Sequence, residues 1–308
     1  MDPPLSVVVA RGGVVESRHR AHAVAVRRGE VERAAGDREL VTFMRSAAKP
    51  LQALPLALEE PDLPEEELAI ACASHDATDE QLAAVRSLLA RAGAVEEDLE
   101  CGAEAGLRVR HNCSGKHAAM LLRSKRHGWP LPGYRLPGHP AQEEALRVVA
   151  AAAGLDPADV PAATDGCGVV TIALPLRTIA VAFARLAACE LAGAERVVAT
   201  MRARPDLVGG PGAADTALMR AIPGAIAKRG AEGLLCVGLA NGTGIAVKVE
   251  DGANRAALPA AAAFLGVEEL REAPLRNSRG DLVGAVRAPA AENPLPPFPR
   301  SGIRSGLA

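Results

Sequence analysis

Apolar residues arrive first in short runs: SVVVARGG at 6–13 and AHAVAV at 21–26 read as strands, joined by Gly12-Gly13 and a polar bend. From Ser46 to about Met219 they recur at helical spacing instead. Thr78 to Ala92 opens with a Thr-x-x-Gln capping box and ends near Gly93, and Pro140 to Ala153 starts with proline and ends at Gly154. After Pro223 the strand texture returns, with GLLCVGLA, a turn at Asn241-Gly242, GIAVKVEDG and DLVGAVRA. Strands at both ends of a helical middle predict one α+β domain, 1–308, whose terminal segments share an antiparallel sheet flanked by helices. ENPLPPFPRSG at 292–302 reads as an ordered irregular tail, not a linker, since no second domain follows.

Within this frame FMRSAAKPLQALP, 43–55, sets Ser46 and Lys49 three residues apart at a predicted helix start. That spacing places hydroxyl and amine on one face, as nucleophile and base, with backbone N–H groups aimed at the site. The bland alternative is that Ser46 only caps the helix. Lysine is scarce, the only ones being Lys49, Lys116, Lys125, Lys228 and Lys248.

Composition narrows the classes. A hydrophobic fraction of 49% spread along the chain predicts a globular protein, and a net charge of -2 with 2% aromatics makes nucleic-acid binding a poor fit. The N-terminus has no basic segment followed by a long apolar run, and no window reads as a membrane span, so a cytoplasmic protein is expected. The cysteines, at 72, 101, 113, 167, 189 and 236, lack tight paired spacing, which points to free thiols or a metal site.

Four more stretches carry unused polar residues. Ser74-His75-Asp76 surfaces from an apolar run, where Asp76 and Thr78 read best as turn and cap. HNCSGKHAAM gathers Cys113, Lys116 and His117, and DGCG at 165–168 offers Asp165 and Cys167 beside glycines. AKRGAEG puts Lys228 ahead of a predicted strand, where a solvated edge lysine is the plain alternative. Cys113 and Cys167 make two soft zinc ligands, completed by nitrogen from Lys116 or His117, or else two buried structural thiols.

The order and wording of RSAAKPLQALP, CASH, Leu99 to Gly102, HNCSGKH, GHPAQ, DGCG, KRGAEG and GIAVKVEDGANRA resemble the L-asparaginase II family, of the rhizobial thermolabile asparaginase type. The resemblance implies a fold similar to serine β-lactamases and glutaminases, a homodimer, and two serine-lysine tandems, Ser46 with Lys49 and Ser74 with Lys228. It also implies a zinc site of Cys113, Lys116 and Cys167, and a substrate-gripping Asp165; Arg45 and His117 stand beside these positions, either to touch substrate or in a structural or solvated role. The expected reaction is conversion of L-asparagine to L-aspartate and ammonia through a serine acyl-enzyme. A glutaminase, another small-amide or β-lactam-type hydrolase, and a non-catalytic zinc-binding relative are the alternatives. Two features depart or compete: Asp76-Ala77-Thr78 replaces a Ser-Gly-Glu type segment after CASH, and Lys248 rivals Lys228 as the second lysine.

Overall fold

The computed structural model describes residues 2–290, so the Pro-rich stretch at 292–302 lies outside the described residues. Strands β1 (Leu5–Arg11) and β2 (Val14–Arg27) form a hairpin whose Gly12 and Gly13 take φ of 54° and 83°, a left-handed pair that glycine adopts without strain. The polar residues before AHAVAV are part of β2, not a bend. His19 lies opposite Val7 and points inward, so the alternation persists while a histidine occupies an inward position.

β3 (Glu30–Ala35) turns back on β2, and β4 (Val41–Phe43) leads into the helical middle. There, α1 (Lys49–Gln52), α2 (Leu54–Glu59), α3 (Glu65–Ala71), α4 (Asp79–Ala92), α5 (Ser114–His127) and α6 (Pro140–Ala153) follow. β5 (Ala162–Thr164) and β6 (Val170–Pro175) come next, then α7 (Leu176–Ala187), α8 (Ala194–Ala203), α9 (Pro205–Val208) and α10 (Ala214–Ala221). The chain closes with β7 (Ile226–Arg229), β8 (Leu234–Gly238), β9 (Thr243–Val249), α11 (Asn254–Leu265), β10 (Glu272–Arg276) and β11 (Leu282–Arg287).

The main sheet runs β10-β11-β1-β2-β9-β8-β7, antiparallel throughout, with β3 also paired to β2. β1 pairs with β11, so the two terminal segments do share one sheet. A second sheet, β4-β6-β5, interrupts the helical middle. Its outer strands are three residues long and mostly exposed, too short for an alternation to register.

α7 and α11 cover opposite faces of the main sheet. Gly244 of β9 meets the backbone of Ala180 and Ala184 in α7, whereas His19, on the other face of β2, meets Arg255 of α11. Aromatics being few, the core is built from Ala, Val and Leu, which lets helices approach closely: a Cβ on Gly115 of α5 would strike the Ile70 carbonyl of α3. That contact seats the HNCSGKH segment against the CASH segment. Among the described residues no helix is long and apolar enough to cross a membrane.

Candidate active site

α3 ends at Ala71, Cys72 stays helical as its cap, and the chain leads on to Ser74, whose N–H donates to the Val208 carbonyl at 2.9 Å. The Ser74 hydroxyl lies between two amines, Lys228 Nζ at 2.9 Å and Lys49 Nζ at 3.0 Å. Both lysines are 0% exposed. Lys49 Nζ also reaches the carbonyls of Ala73 at 2.6 Å and Asn112 at 3.4 Å; Lys228 Nζ reaches Asp215 Oδ2 at 3.2 Å and the Arg229 carbonyl at 3.0 Å. Burial pushes both amines down, Lys228 to about 8 even though Asp215 opposes the shift. Lys248 is elsewhere, its amine on the Val249 carbonyl, so Lys228 is the second lysine.

The hydrogen bonds differ from the pairing expected from spacing. Lys49 bonds Ser74 and not Ser46, because its stem runs from the short turn into the core, where Ala73 and Asn112 offer carbonyls. Ser46 sits half-buried on a 3-10 turn, Arg45–Ala48, that passes into α1, and its hydroxyl has no hydrogen-bond partner among the described residues. Pro50 sits in the first turn of α1, and Pro55, in the first turn of α2, marks the break between the two.

Arg45 starts the turn in a left-handed conformation, φ 49°, fixed by its N–H on Thr171 Oγ1 at 3.0 Å. Its guanidinium pairs with Asp165, whose Oδ1 also accepts the Gly166 N–H at 2.7 Å. The aspartate expected to be free for substrate is therefore joined to the expected arginine. His117 lies on α5, within the helical middle. It is 0% exposed, 2.7 Å from Tyr134 Oη, and burial holds it well below its ordinary range, so it packs the core as a neutral ring.

Cys113, Lys116 and Cys167 do come together. Lys116 Nζ donates to Cys167 Sγ at 3.2 Å, and all three residues are buried. A hydrogen bond with Cys167, and then the charge of Lys49, hold the Cys113 thiol well below its usual range, whereas Cys167 is pushed upward, first by that same bond. The other group of metal-type donors, Glu59, His127 and Glu144, is bridged by Arg123, which pairs with both carboxylates.

Sequence reasoning missed Asp215 and Arg229. Asp215 falls in the first turn of α10, where an acid reads as ordinary dipole compensation, yet it is 0% exposed and paired with Lys228. Arg229 donates to the Ser74 carbonyl at 2.7 Å and to Asp76 Oδ1 at 3.0 Å, so Asp76 serves as an ion-pair partner, while Thr78 caps α4 with Gln81 as its sequence predicts. His75 is a strut: its Nε2 lies 2.8 Å from Ser114 Oγ, its Nδ1 accepts the Ala77 N–H at 3.2 Å, and burial lowers it to about 4.

A buried serine hydroxyl held between two amines is an arrangement that can pass a proton. The family model described as L-asparaginase II matches residues 7–288, and the chain belongs to that family of amidohydrolases. Among solved structures, Mglu in its native form in the presence of 4.3 M NaCl aligns at 15% identity and TM-score 0.47, over 81% of this chain and 61% of that one. Mglu in its tris and glutamate form aligns at 16% identity and TM-score 0.35, over 88% of this chain and 60% of that one. The chain thus spans less than two thirds of these proteins. No curated protein matches it.

Proposed function

We propose that the protein hydrolyses the side-chain amide of L-asparagine to L-aspartate and ammonia through an acyl-serine, with Lys49 as general base. The observation that carries the reading is the buried chain Lys49, Ser74, Lys228. Counting hydrogens supports it. Lys228 has three acceptors, which suits an ammonium; Lys49, if neutral, donates to two carbonyls and offers its lone pair to a serine proton.

Ser46 is the more exposed of the two hydroxyls, and in this reading it attacks the amide carbon. Its proton passes to Lys49 as the Ser74 hydrogen turns away from that lone pair, and Lys49 returns it to the departing nitrogen as the C–N bond breaks; water then attacks the ester, and aspartate leaves. The Arg45–Asp165 pair matches the two charges of a free amino acid, with its α-carboxylate on Arg45 and its α-ammonium on Asp165. The 3.0 Å contact between Lys49 and Ser74 favours a second reading in which Ser74 attacks.

Ammonia release from asparagine, glutamine and N-acetylasparagine, with Ser46→Ala and Ser74→Ala beside wild type, tests this. Asparagine should turn over, the N-blocked compound should not, and Ser46→Ala should lose most turnover. Loss confined to Ser74→Ala selects the second reading. Activity retained in both variants sinks the covalent mechanism.

The cysteines and lysine fit a zinc ion: two thiols and an amine converge, and one thiol is already poised to ionise. Cys113, Cys167 and Lys116 would hold it, and when bound it supplies positive charge that orients Asp165 and substrate. About one zinc per chain is expected by elemental analysis, with affinity falling as pH drops and the ligands protonate. Unchanged zinc in Cys113→Ser with Cys167→Ser would remove the site. A homodimer belongs to the same proposal, to be checked by sedimentation.

A further inference from the structure

The Asp215 carboxylate takes no part in the reaction as proposed, yet it is wholly buried between two cations. Its Oδ2 accepts from Lys228 Nζ at 3.2 Å and from the Arg229 N–H at 3.3 Å, and its Oδ1 faces Arg229 Nη1 at 3.4 Å. Those two cations hold different parts of Ser74: Lys228 donates to Oγ at 2.9 Å and Arg229 to the backbone carbonyl at 2.7 Å. A carboxylate removed from water persists only against cations placed for it. This one has no room to move, since a Cβ on Gly209 would run into its Oδ1 and the Thr216 hydroxyl.

We propose that Asp215 is a positioning residue: it fixes Lys228 as a charged three-donor group and, through Lys228 and Arg229 together, aims the Ser74 hydroxyl hydrogen at Lys49. The physical step is simple. An ammonium has no lone pair, so Lys228 can only donate to Ser74 Oγ, and the serine's own hydrogen must point to another acceptor. The amine at 3.0 Å is Lys49. One buried charge thereby sets the direction of the whole hydrogen-bond chain.

The groups facing Lys228 leave Asp215 as its counter-anion. Lys49 lies across Ser74 and Arg229 beside it, both lowering Lys228. Cys72, at the end of α3, is pushed up to about 12 by burial, and Cys236 of β8 is pushed upward too, so both stay neutral thiols. Asp76 lies on the outer side of Arg229, on the same guanidinium nitrogen that holds the Ser74 carbonyl.

The inference rests on the amide-hydrolysis reading, and its test separates the two. In Asp215→Asn, kcat should fall about 100-fold with KM within about threefold. The alkaline limb of the kcat profile should move to lower pH, because Lys228 loses the group that raises it. Thr216→Val, on the same helix, removes only a hydroxyl bonded to the Pro205 carbonyl, and should lower stability without moving that limb. A profile for Asp215→Asn that superimposes on that of Thr216→Val overturns the proposal.

Should Asp215→Asn not fold, nitrogen-15 NMR of the wild-type lysine amines decides, since the chain has only five lysines to assign. Lys228 should be an ammonium at neutral pH and below. A neutral amine there also overturns the proposal. If wild type releases no ammonia from asparagine, the functional reading fails while the NMR result still judges Asp215.

Discussion

At the scale of single residues, the chemistry depends on two amines of the same kind being kept in different protonation states. An unperturbed lysine is charged until about pH 10.4, so Lys49 can act as a base near neutrality only if its surroundings lower that value. Burial does so, and Lys116 adds to it, while Cys113 and Cys167 oppose it. Lys228, lowered to about 8, must remain charged to donate to all three of its acceptors at once. Turnover should therefore rise as Lys49 deprotonates and fall as Lys228 does, a bell measured by ammonia release against pH. Lys49→Arg is the sharpest test, because a guanidinium cannot give up its proton in this range. It should lose about 100-fold or more in kcat with the fold intact by circular dichroism. An active Lys49→Arg enzyme would mean that another group is the base.

The same residues show what the sequence could convey about the site. The contacts of Ser74 with Lys228 and of Lys116 with Cys167 were legible, because these residues sit in short segments whose wording is distinctive. The partnership of Lys49 was not. Spacing of three residues fixes where two Cβ atoms lie, but four methylenes carry an amine to whatever acceptors the core provides, here Ala73, Ser74 and Asn112. Asp215 had no local signal at all, since its partners lie on β7 and its burial is a property of the assembled fold.

At the scale of elements, helix ends were the most legible feature. Thr78 and Gln81 exchange both capping-box hydrogen bonds, and α4 and α6 end on left-handed Gly93 and Gly154, all of it local chemistry written in adjacent residues. Close approach between elements is not local, and β4 and β5 escaped notice because three residues hold no alternation. Thr78→Ala should cost about 1 kcal/mol, the ordinary loss of a cap. Gly244→Ala should cost more, about 1–3 kcal/mol, because the new methyl meets backbone atoms of Ala180 and Ala184 that cannot rotate away. Urea unfolding should give both lowered midpoints with unchanged slopes, Gly244→Ala the lower. Equal midpoints would mean that the contact between α7 and β9 has slack.

At the scale of the whole molecule, a net charge of -2 leaves little overall repulsion at neutral pH, so sensitivity in mild acid, above the carboxylate range, must come from particular buried groups. Two imidazoles stand out. Burial holds His75 near about 4 and His117 well below the ordinary range, so the folded protein keeps both neutral in mild acid. The unfolded chain protonates them at about 6.5. Between those values the unfolded state binds more protons, and stability must fall as pH drops from about 6.5 towards 4, by roughly 3 kcal/mol for His75 alone. Asp215 acts in a lower range: its folded value is depressed by Lys228 and Arg229 against burial, so its contribution is present above the unfolded carboxylate range and lost only below it. Urea midpoints at pH 7, 6 and 5 should thus decline before most carboxylates titrate. In His75→Gln the protein should be weaker at pH 7, since the bond to Ser114 is disturbed, but its decline towards pH 5 should be shallower. A variant that keeps the wild-type slope would show that His75 is not the group gaining the proton on unfolding.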